Sequence, residues 1–172
     1  MKVVADSFTR ADYARLPEGF PAQLIEGMLV KDPSPTYGHQ RIAAEIHFRL
    51  MQRVPRARLP FTPMDVGLDE FNVFQPDVLV LRSIPPDDAH DVGIPLLAVE
   101  VLSPSSSGRD REIKRRRLLA AGVEEVWLVD PATRTVELHN AAGARVARGN
   151  ERVESRAVPG FAIVPAELFS RP

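Results

Sequence analysis

Cysteine is absent from this chain of 172 residues, which excludes disulfides and thiolate metal sites. Long apolar runs are absent too, since none approaches the roughly 20 residues that a membrane-spanning helix needs. The first residues, MKVVADSFTR, lack the apolar core and the small-residue cleavage site of a signal peptide. These absences favour a cytoplasmic protein that has no membrane partner.

Neither sign of charge dominates the chain, because its formal net charge is −1. Lysine is scarce, with three lysines (positions 2, 31 and 114) against 19 arginines, so a lysine at a particular position is the more informative residue. The run RDREIKRRR at 109–117 holds six basic residues and two acidic ones. This local excess, and not the net charge, is the feature that could contact a polyanion.

The spacing of apolar and turn residues predicts a single domain over 1–172, of the α/β (α+β) class with a mixed sheet. A buried strand within 95–107, a helix ending near Gly122 and a second buried strand at 124–130 form a βαβ pattern with a parallel pair. The other predicted elements are helices at 9–17 and 38–53, strands at 23–30, 62–69 and 73–81, and a C-terminal hairpin and tail over 133–172.

Two acids interrupt apolar strands. Glu100 lies within PLLAVEVL, and Asp77 follows Pro76 within VFQPDVLVL. An isolated carboxylate buried in an apolar sheet costs several kcal/mol unless it is compensated. If the two strands are neighbours, a hard cation such as Mg²⁺ would compensate both acids. The alternative is that an arginine or backbone donors satisfy each acid in a purely structural role.

Lys114 lies on the stripe of the helix after Glu100 that must face the sheet. Asp110, Lys114, Leu118 and Ala121 share this stripe, and Leu118 and Ala121 are the apolar members. The spacing therefore turns Lys114 inward, toward the strand that carries Glu100, and leaves Arg115 and Arg116 pointing outward. An ordinary Asp110–Lys114 helix pair explains the same spacing equally well.

Glu26, in LIEGMLV, and His39, at the start of the first long helix, are weaker candidates for supporting roles. Residues of both types are commonly structural, and spacing alone does not bring either one near Asp77. The sequence has no Ser–His–Asp pattern, phosphate loop or zinc motif.

The chain resembles the Uma-type endonucleases of the PD-(D/E)XK superfamily. The resemblance is carried by QPDVLVL, VEVLSPSSSGRDREIK and AGVEEVWLVDP, preceded by LIEGMLV and PTYGHQRIAAEI, over residues 18–135 in the family's order. It implies a restriction-endonuclease-like core in which helices flank a central mixed sheet.

The resemblance also implies a divalent-metal site that holds Mg²⁺ or Mn²⁺. Its ligands would be Asp77, Glu100 and the backbone carbonyl of Val101. The superfamily's lysine lies two residues after the Glu, where this chain has Leu102, and Uma-type sequences carry the lysine in the next helix, matching Lys114. The catalytic set implied is therefore Asp77, Glu100 and Lys114.

Two positions depart from the family pattern. A tyrosine usually follows the helix lysine by four residues, where this chain has Leu118, and the usual EYW is here Glu125, Val126 and Trp127. Both departures leave the metal-ligand positions intact.

The implied reaction is hydrolysis of phosphodiester bonds in nucleic acid, with DNA as the expected substrate. Arg109, Arg111, Arg115 and Arg116 would contact the backbone. Cleavage of both strands of a duplex is easiest with two sites in a symmetric homodimer. Two alternatives remain open at this point: a non-catalytic nuclease-fold binding or assembly module, and a structural protein whose buried acids pair with arginines.

Overall fold

The computed structural model describes residues 7–31, 34–58, 60–103 and 108–170, apart from the side chains at 57, 109 and 110. The helices are α1 (Arg10–Tyr13), α2 (Tyr37–Met51), α3 (Gly108–Ala120) and α4 (Pro165–Leu168). The strands are β1 (Ala22–Ile25), β2 (Met28–Lys31), β3 (Pro60–Phe61), β4 (Val66–Asp69), β5 (Asn72–Phe74), β6 (Val78–Val80), β7 (Leu97–Val101), β8 (Glu125–Asp130), β9 (Thr135–Asn140), β10 (Gly143–Arg148), β11 (Val153–Glu154) and β12 (Ala162–Ile163). Within these ranges, no helix is long and apolar enough to cross a bilayer.

A six-stranded mixed sheet forms the centre of the molecule, in the order β10-β9-β8-β7-β6-β3. β7 and β8 are parallel, as expected for two strands joined by a crossover helix, here α3, while their other neighbours pair antiparallel. The predicted fold class, a mixed sheet flanked by helices, is confirmed. The predicted βαβ unit and the hairpin β9–β10 are present.

The segment 23–30, predicted to be one strand, is a tight hairpin. β1 and β2 pair antiparallel around Glu26 and Gly27, whose φ values are 49° and 76°. Two successive positive φ angles are typical of the turns that match strand twist. The prediction of a single strand was wrong because the hydrophobic pattern continues through a turn in which Gly27 is the only conformational signal.

The segment 73–81 also divides into two strands. β5 belongs to the four-stranded sheet β2-β1-β5-β4, whereas β6 belongs to the six-stranded sheet. The chain changes sheets at Gln75–Asp77, where Pro76 has no N–H to donate to a ladder. Asp77 therefore lies immediately before β6 and not inside a continuous strand.

Each face of the six-stranded sheet is covered by one of the long helices. Ile46 and Leu50 of α2 belong to the same core cluster as Val99 and Trp127. On the other face, Leu118 of α3 belongs to a cluster with Ala98. Burial on both faces explains why β7 is a continuous apolar run broken only by Glu100.

The ends of α2 and α3 follow local signals. The Thr36 hydroxyl accepts a hydrogen bond from the His39 N–H at the start of α2, and Gly122, with φ 100°, follows the end of α3. Ser107 and Asp110 have the spacing of a capping box for α3, but Ser107 and the side chain of Asp110 lie outside the described part of the chain. The C-terminal tail packs onto the domain as expected, with Phe161, Ile163 and Leu168 in the α2-side core.

Candidate active site

The two strand acids meet at one edge of the six-stranded sheet. Val78 of β6 pairs antiparallel with Val99 of β7, so the next positions outward, Asp77 and Glu100, face each other across the two strands. Directly opposed residues of an antiparallel pair lie on the same side of the sheet, with neighbouring strands about 4.8 Å apart. This edge is also where the parallel strands β7 and β8 end, and where α2 and α3 begin.

Asp77 receives two donors on one carboxylate oxygen. Its Oδ2 accepts a hydrogen bond from the backbone N–H of Val101 at 2.7 Å and lies 3.3 Å from Nε2 of His39. Among the described residues, no arginine forms an ion pair with Asp77. The carboxylate is therefore held in place by a neighbouring strand and by the first turn of α2.

Glu100 is compensated by Lys114. Nζ of Lys114 lies 2.6 Å from Oε1 of Glu100. The side chains of these two residues, of Asp77 and of His39 are all between 12% and 20% exposed. Leu118, one turn further along α3, is fully buried, so the helical stripe does turn Lys114 toward the sheet. The side chain of Asp110, the other partner proposed for Lys114, lies outside the described residues.

His39 carries a raised pKa. The hydrogen bond to Asp77 is the largest cause, and it outweighs the desolvation that lowers the pKa. The Asp77 charge, the Val101 backbone and the Glu100 charge raise the pKa further. The other ring nitrogen, Nδ1, is buried and has no hydrogen-bond partner among the described residues. The sequence pattern ranked His39 as a weak candidate, and the structure brings it into contact with Asp77.

The donor set suits a hard cation better than zinc. In the described part of the chain, no group of three or more His, Cys, Asp or Glu side chains is arranged to hold a metal. Asp77 and Glu100 present two opposed carboxylates, and Val101, whose N–H donates to Asp77, directly follows Glu100. Mg²⁺ commonly binds one or two carboxylates and keeps several waters, so the residues present fit Mg²⁺ or Mn²⁺.

Glu26 lies elsewhere. It occupies the β1–β2 turn, where its carboxylate accepts a hydrogen bond from Arg117 at 3.0 Å. Its backbone N–H donates to the Asn72 side chain. These contacts attach the hairpin to α3, and they do not join Glu26 to the Asp77 or Glu100 pairs.

The arginines of α3 have different surroundings. Arg116 is exposed, as predicted, but Arg115 was wrongly predicted to point outward. Arg115 lies over the sheet, 3.2 Å from Nδ1 of His139, and pairs with Glu112. The reason is that β9 extends the sheet beneath this part of the helix, which the pattern of α3 alone does not show. Arg109 has no described side chain.

A cleft of about 980 Å³ opens beside the acids, and we call it the arginine cleft. Its walls are the first turns of α2, the residues after β7, the β8–β9 turn and the segment after α4. The lining residues that matter below are Tyr37, Arg41, Leu102, Arg111, Arg134 and Phe169. His39, which contacts Asp77, also lines the cleft, so the cleft reaches the candidate site.

Sequence reasoning missed one buried acid and most of the cleft. Glu125 is only 1% exposed, and its carboxylate accepts hydrogen bonds from four groups: the Trp127 indole, the Ser155 hydroxyl and the backbone N–H groups of Arg156 and Ala157. Its place at the start of an apolar strand was an available signal. Arg41 and Arg134 carry no sequence signal, because a turn and a helix bring them together only in the folded chain.

Comparisons with known proteins identify the family and a similar fold. A model of the Uma2 family, described as "Putative restriction endonuclease", matches residues 10–167. The chain belongs to the Uma2 family. Comparison with the curated proteins finds no match.

Among solved structures, the Uma2 chain is similar to the crystal structure of a putative nuclease belonging to DUF820 from Anabaena variabilis ATCC 29413. The two share 23% sequence identity with a TM-score of 0.83, over 94% of this chain and 97% of the other. At that identity the likeness establishes the fold and not the activity.

Proposed function

We propose that this Uma2 protein is a metal-dependent endonuclease that hydrolyses phosphodiester bonds in DNA. The observation that carries the proposal is the pairing of two opposed acids with two basic side chains at one sheet edge: Asp77 with His39, and Glu100 with Lys114. The family match supports the same reaction class.

Each residue has a distinct role in this proposal. Asp77, Glu100 and the Val101 carbonyl would hold Mg²⁺ or Mn²⁺, which when bound acts as a Lewis acid on the phosphoryl group. The ammonium of Lys114 lies beside Glu100 and would stabilise negative charge that develops on the phosphate. His39 would hold the Asp77 carboxylate in orientation, because it contacts the oxygen that also accepts the Val101 N–H.

Nucleic acid would meet the site along the start of α3. Arg111 lines the arginine cleft and Arg116 is exposed, so both can reach phosphates. Arg115 is held by Glu112 and His139, which makes it a weaker candidate than the sequence indicated. A net charge of −1 predicts modest, salt-sensitive affinity.

A symmetric homodimer would place two such sites on a duplex, and it stays a prediction from the expected reaction. Light scattering at micromolar protein concentration tests it. A dimer supports cleavage of both strands, whereas a strict monomer predicts nicking alone.

The decisive experiment measures nicking of supercoiled plasmid and cleavage of labelled oligonucleotides in Mg²⁺, in Mn²⁺ and in EDTA. Wild type should cut only with metal, and Asp77→Asn and Glu100→Gln should each lose on the order of a hundredfold or more in rate. The control is Glu124→Gln, since Glu124 is an exposed acid paired with Arg82 near the opposite end of β8. Equal cutting by all variants would overturn the assignment. Binding of DNA without cutting under any metal would favour the binding-module alternative.

A further inference from the structure

The arginine cleft has a charge and a lining that the metal site does not require. Among the described residues, Arg41, Arg111 and Arg134 line it, against one acid, Asp130. The Asp130 carboxylate is occupied within its own turn, where it accepts the backbone N–H groups of Ala132 and Thr133. In the ranges that the structure describes, none of the three arginines forms an ion pair with an acid, and Arg41 donates a hydrogen bond to the backbone carbonyl of Leu168. The cleft therefore presents excess positive charge to an anionic ligand.

The walls between these arginines are apolar and aromatic. Leu102 and Phe169 line the cleft, and Tyr37, at its α2 wall, is 83% exposed. Tyr37 and Arg41 are four residues apart on α2, so they lie on the same face of the helix. Alternating cationic and aromatic side chains are typical of surfaces that bind unpaired nucleic acid, whose bases are free to stack. A duplex keeps its bases stacked internally and would leave these walls unused.

Arg134 occupies an unusual backbone position. Its φ is 54°, in the left-handed region that glycine and asparagine adopt most readily. Arginine at this φ costs backbone free energy, and a glycine in the β8–β9 turn would adopt the same φ without that cost. The cost is offset if the guanidinium is needed where it lines the cleft.

We propose that the arginine cleft binds an unpaired DNA strand and leads it to the site at Asp77 and Glu100. The volume of the cleft, about 980 Å³, is at the upper end of the range for ligand pockets and so offers room for a strand segment. The proposal rests on the proposed nuclease function for the identity of the ligand. It adds the strandedness of the substrate and assigns binding roles to Tyr37, Arg41 and Arg134.

The test measures fluorescence anisotropy in EDTA, where no cutting is expected. The probe is one labelled strand of about 12 nucleotides, within the range of single-strand site sizes, either free or annealed to its complement. Wild type should bind the free strand about tenfold more tightly than the duplex. Equal affinity, or a preference for the duplex, would overturn the proposal.

Two variants and one matched control localise the binding. Arg134→Asn should weaken binding of the free strand about fivefold and reduce the slope of log affinity against log salt by about 0.7, the value for one lost phosphate contact. Its melting temperature should be unchanged or higher, because asparagine tolerates this φ. Arg53→Asn, at an exposed arginine beyond the opposite end of α2, should change neither the affinity for the free strand nor the salt slope. Tyr37→Ala should weaken binding of the free strand roughly fivefold or more and leave binding of the duplex unchanged.

The outcomes separate this proposal from the proposed function. If wild type cuts DNA with metal but Arg134→Asn and Tyr37→Ala bind like wild type, the cleft proposal is wrong and the nuclease stands. If both variants lose affinity for the free strand but wild type never cuts, the cleft proposal stands and the nuclease assignment fails.

Discussion

Glu100 and Glu125 are glutamates on neighbouring parallel strands, both largely shielded from solvent, and their carboxylates have different kinds of partner. Glu125 begins β8, and four hydrogen-bond donors from fixed groups surround its carboxylate. Glu100 lies near the end of β7, and its carboxylate pairs with the ammonium of Lys114, at the end of a long side chain. Glu125 pairs in register with Leu97, three residues before Glu100, so about 10 Å of strand separates the two levels.

The difference shows what distinguishes a structural acid from a candidate ligand. A carboxylate saturated by backbone, indole and hydroxyl donors has no capacity left for a metal, and it fastens the C-terminal tail to the sheet. A carboxylate that pairs with a lysine ammonium, carried on a long rotatable side chain, can exchange that partner for another cation. Burial alone, which is the signal that the sequence offers, does not separate the two cases.

The largest effect expected from this comparison is on activity at Lys114. Lys114→Ala should lower metal-dependent cleavage on the order of a hundredfold, because it removes the cation beside the reacting phosphate. Plasmid nicking measures the rate, and far-UV circular dichroism confirms that the variant is folded. Arg53→Ala, at an exposed arginine beyond the far end of α2, is the control and should retain the wild-type rate. Full activity of Lys114→Ala would remove Lys114 from the site and leave the two acids.

The next effect is on stability at Glu125. Glu125→Ala should lower the free energy of unfolding by about 3 kcal/mol, since it leaves several buried donors without an acceptor. Urea denaturation measures this loss. Cleavage per folded molecule should match wild type, and Glu124→Ala, at the exposed neighbour, should change stability by less than about 0.5 kcal/mol. If cleavage fell while stability held, Glu125 and not Glu100 would be the functional acid.

Glu26 tests whether a half-buried acid with an arginine partner behaves like Glu125. Its pair with Arg117 is partly exposed, so Glu26→Ala should cost about 1 kcal/mol or less in urea denaturation. The cleavage rate of the Glu26→Ala variant should stay within about twofold of wild type, since the contacts of Glu26 lie away from Asp77 and Glu100. A large loss of activity at unchanged stability would return Glu26 to the site.

The smallest expected effect is a change in the pKa of His39 in the metal-free protein. Asp77 raises the pKa of His39, so NMR titration in EDTA should give a pKa above the ordinary 6.5, and Asp77→Asn should lower it. A raised folded-state pKa means that the His39–Asp77 ion pair stabilises the protein fully below about pH 6.5 and loses this contribution as pH rises through the folded pKa. An unshifted His39 pKa would mean that the ring does not contact Asp77 in solution.

Patterns within single elements predicted much of the site. The two acids interrupt apolar stretches of sequence, and the helical spacing of Lys114 and Leu118 oriented the lysine correctly because a helix face is a local property. The same reasoning was wrong for Arg115, since its orientation depends on β9, which is distant along the chain. It was also wrong for 23–30 and 73–81, where apolar character continues through a turn and through a change of sheet.

The sequence by itself determined that helices flank a mixed sheet, that Asp77 and Glu100 need compensation, and that Lys114 faces inward. These properties follow from local periodicity and from the cost of burying charge. Tertiary structure alone decided that Asp77 lies opposite Glu100, that His39 contacts Asp77, and that Arg41 and Arg134 share one cleft. The reason is physical: strand register and the packing of α2 against the sheet are set by the whole core, and no short stretch of sequence encodes them.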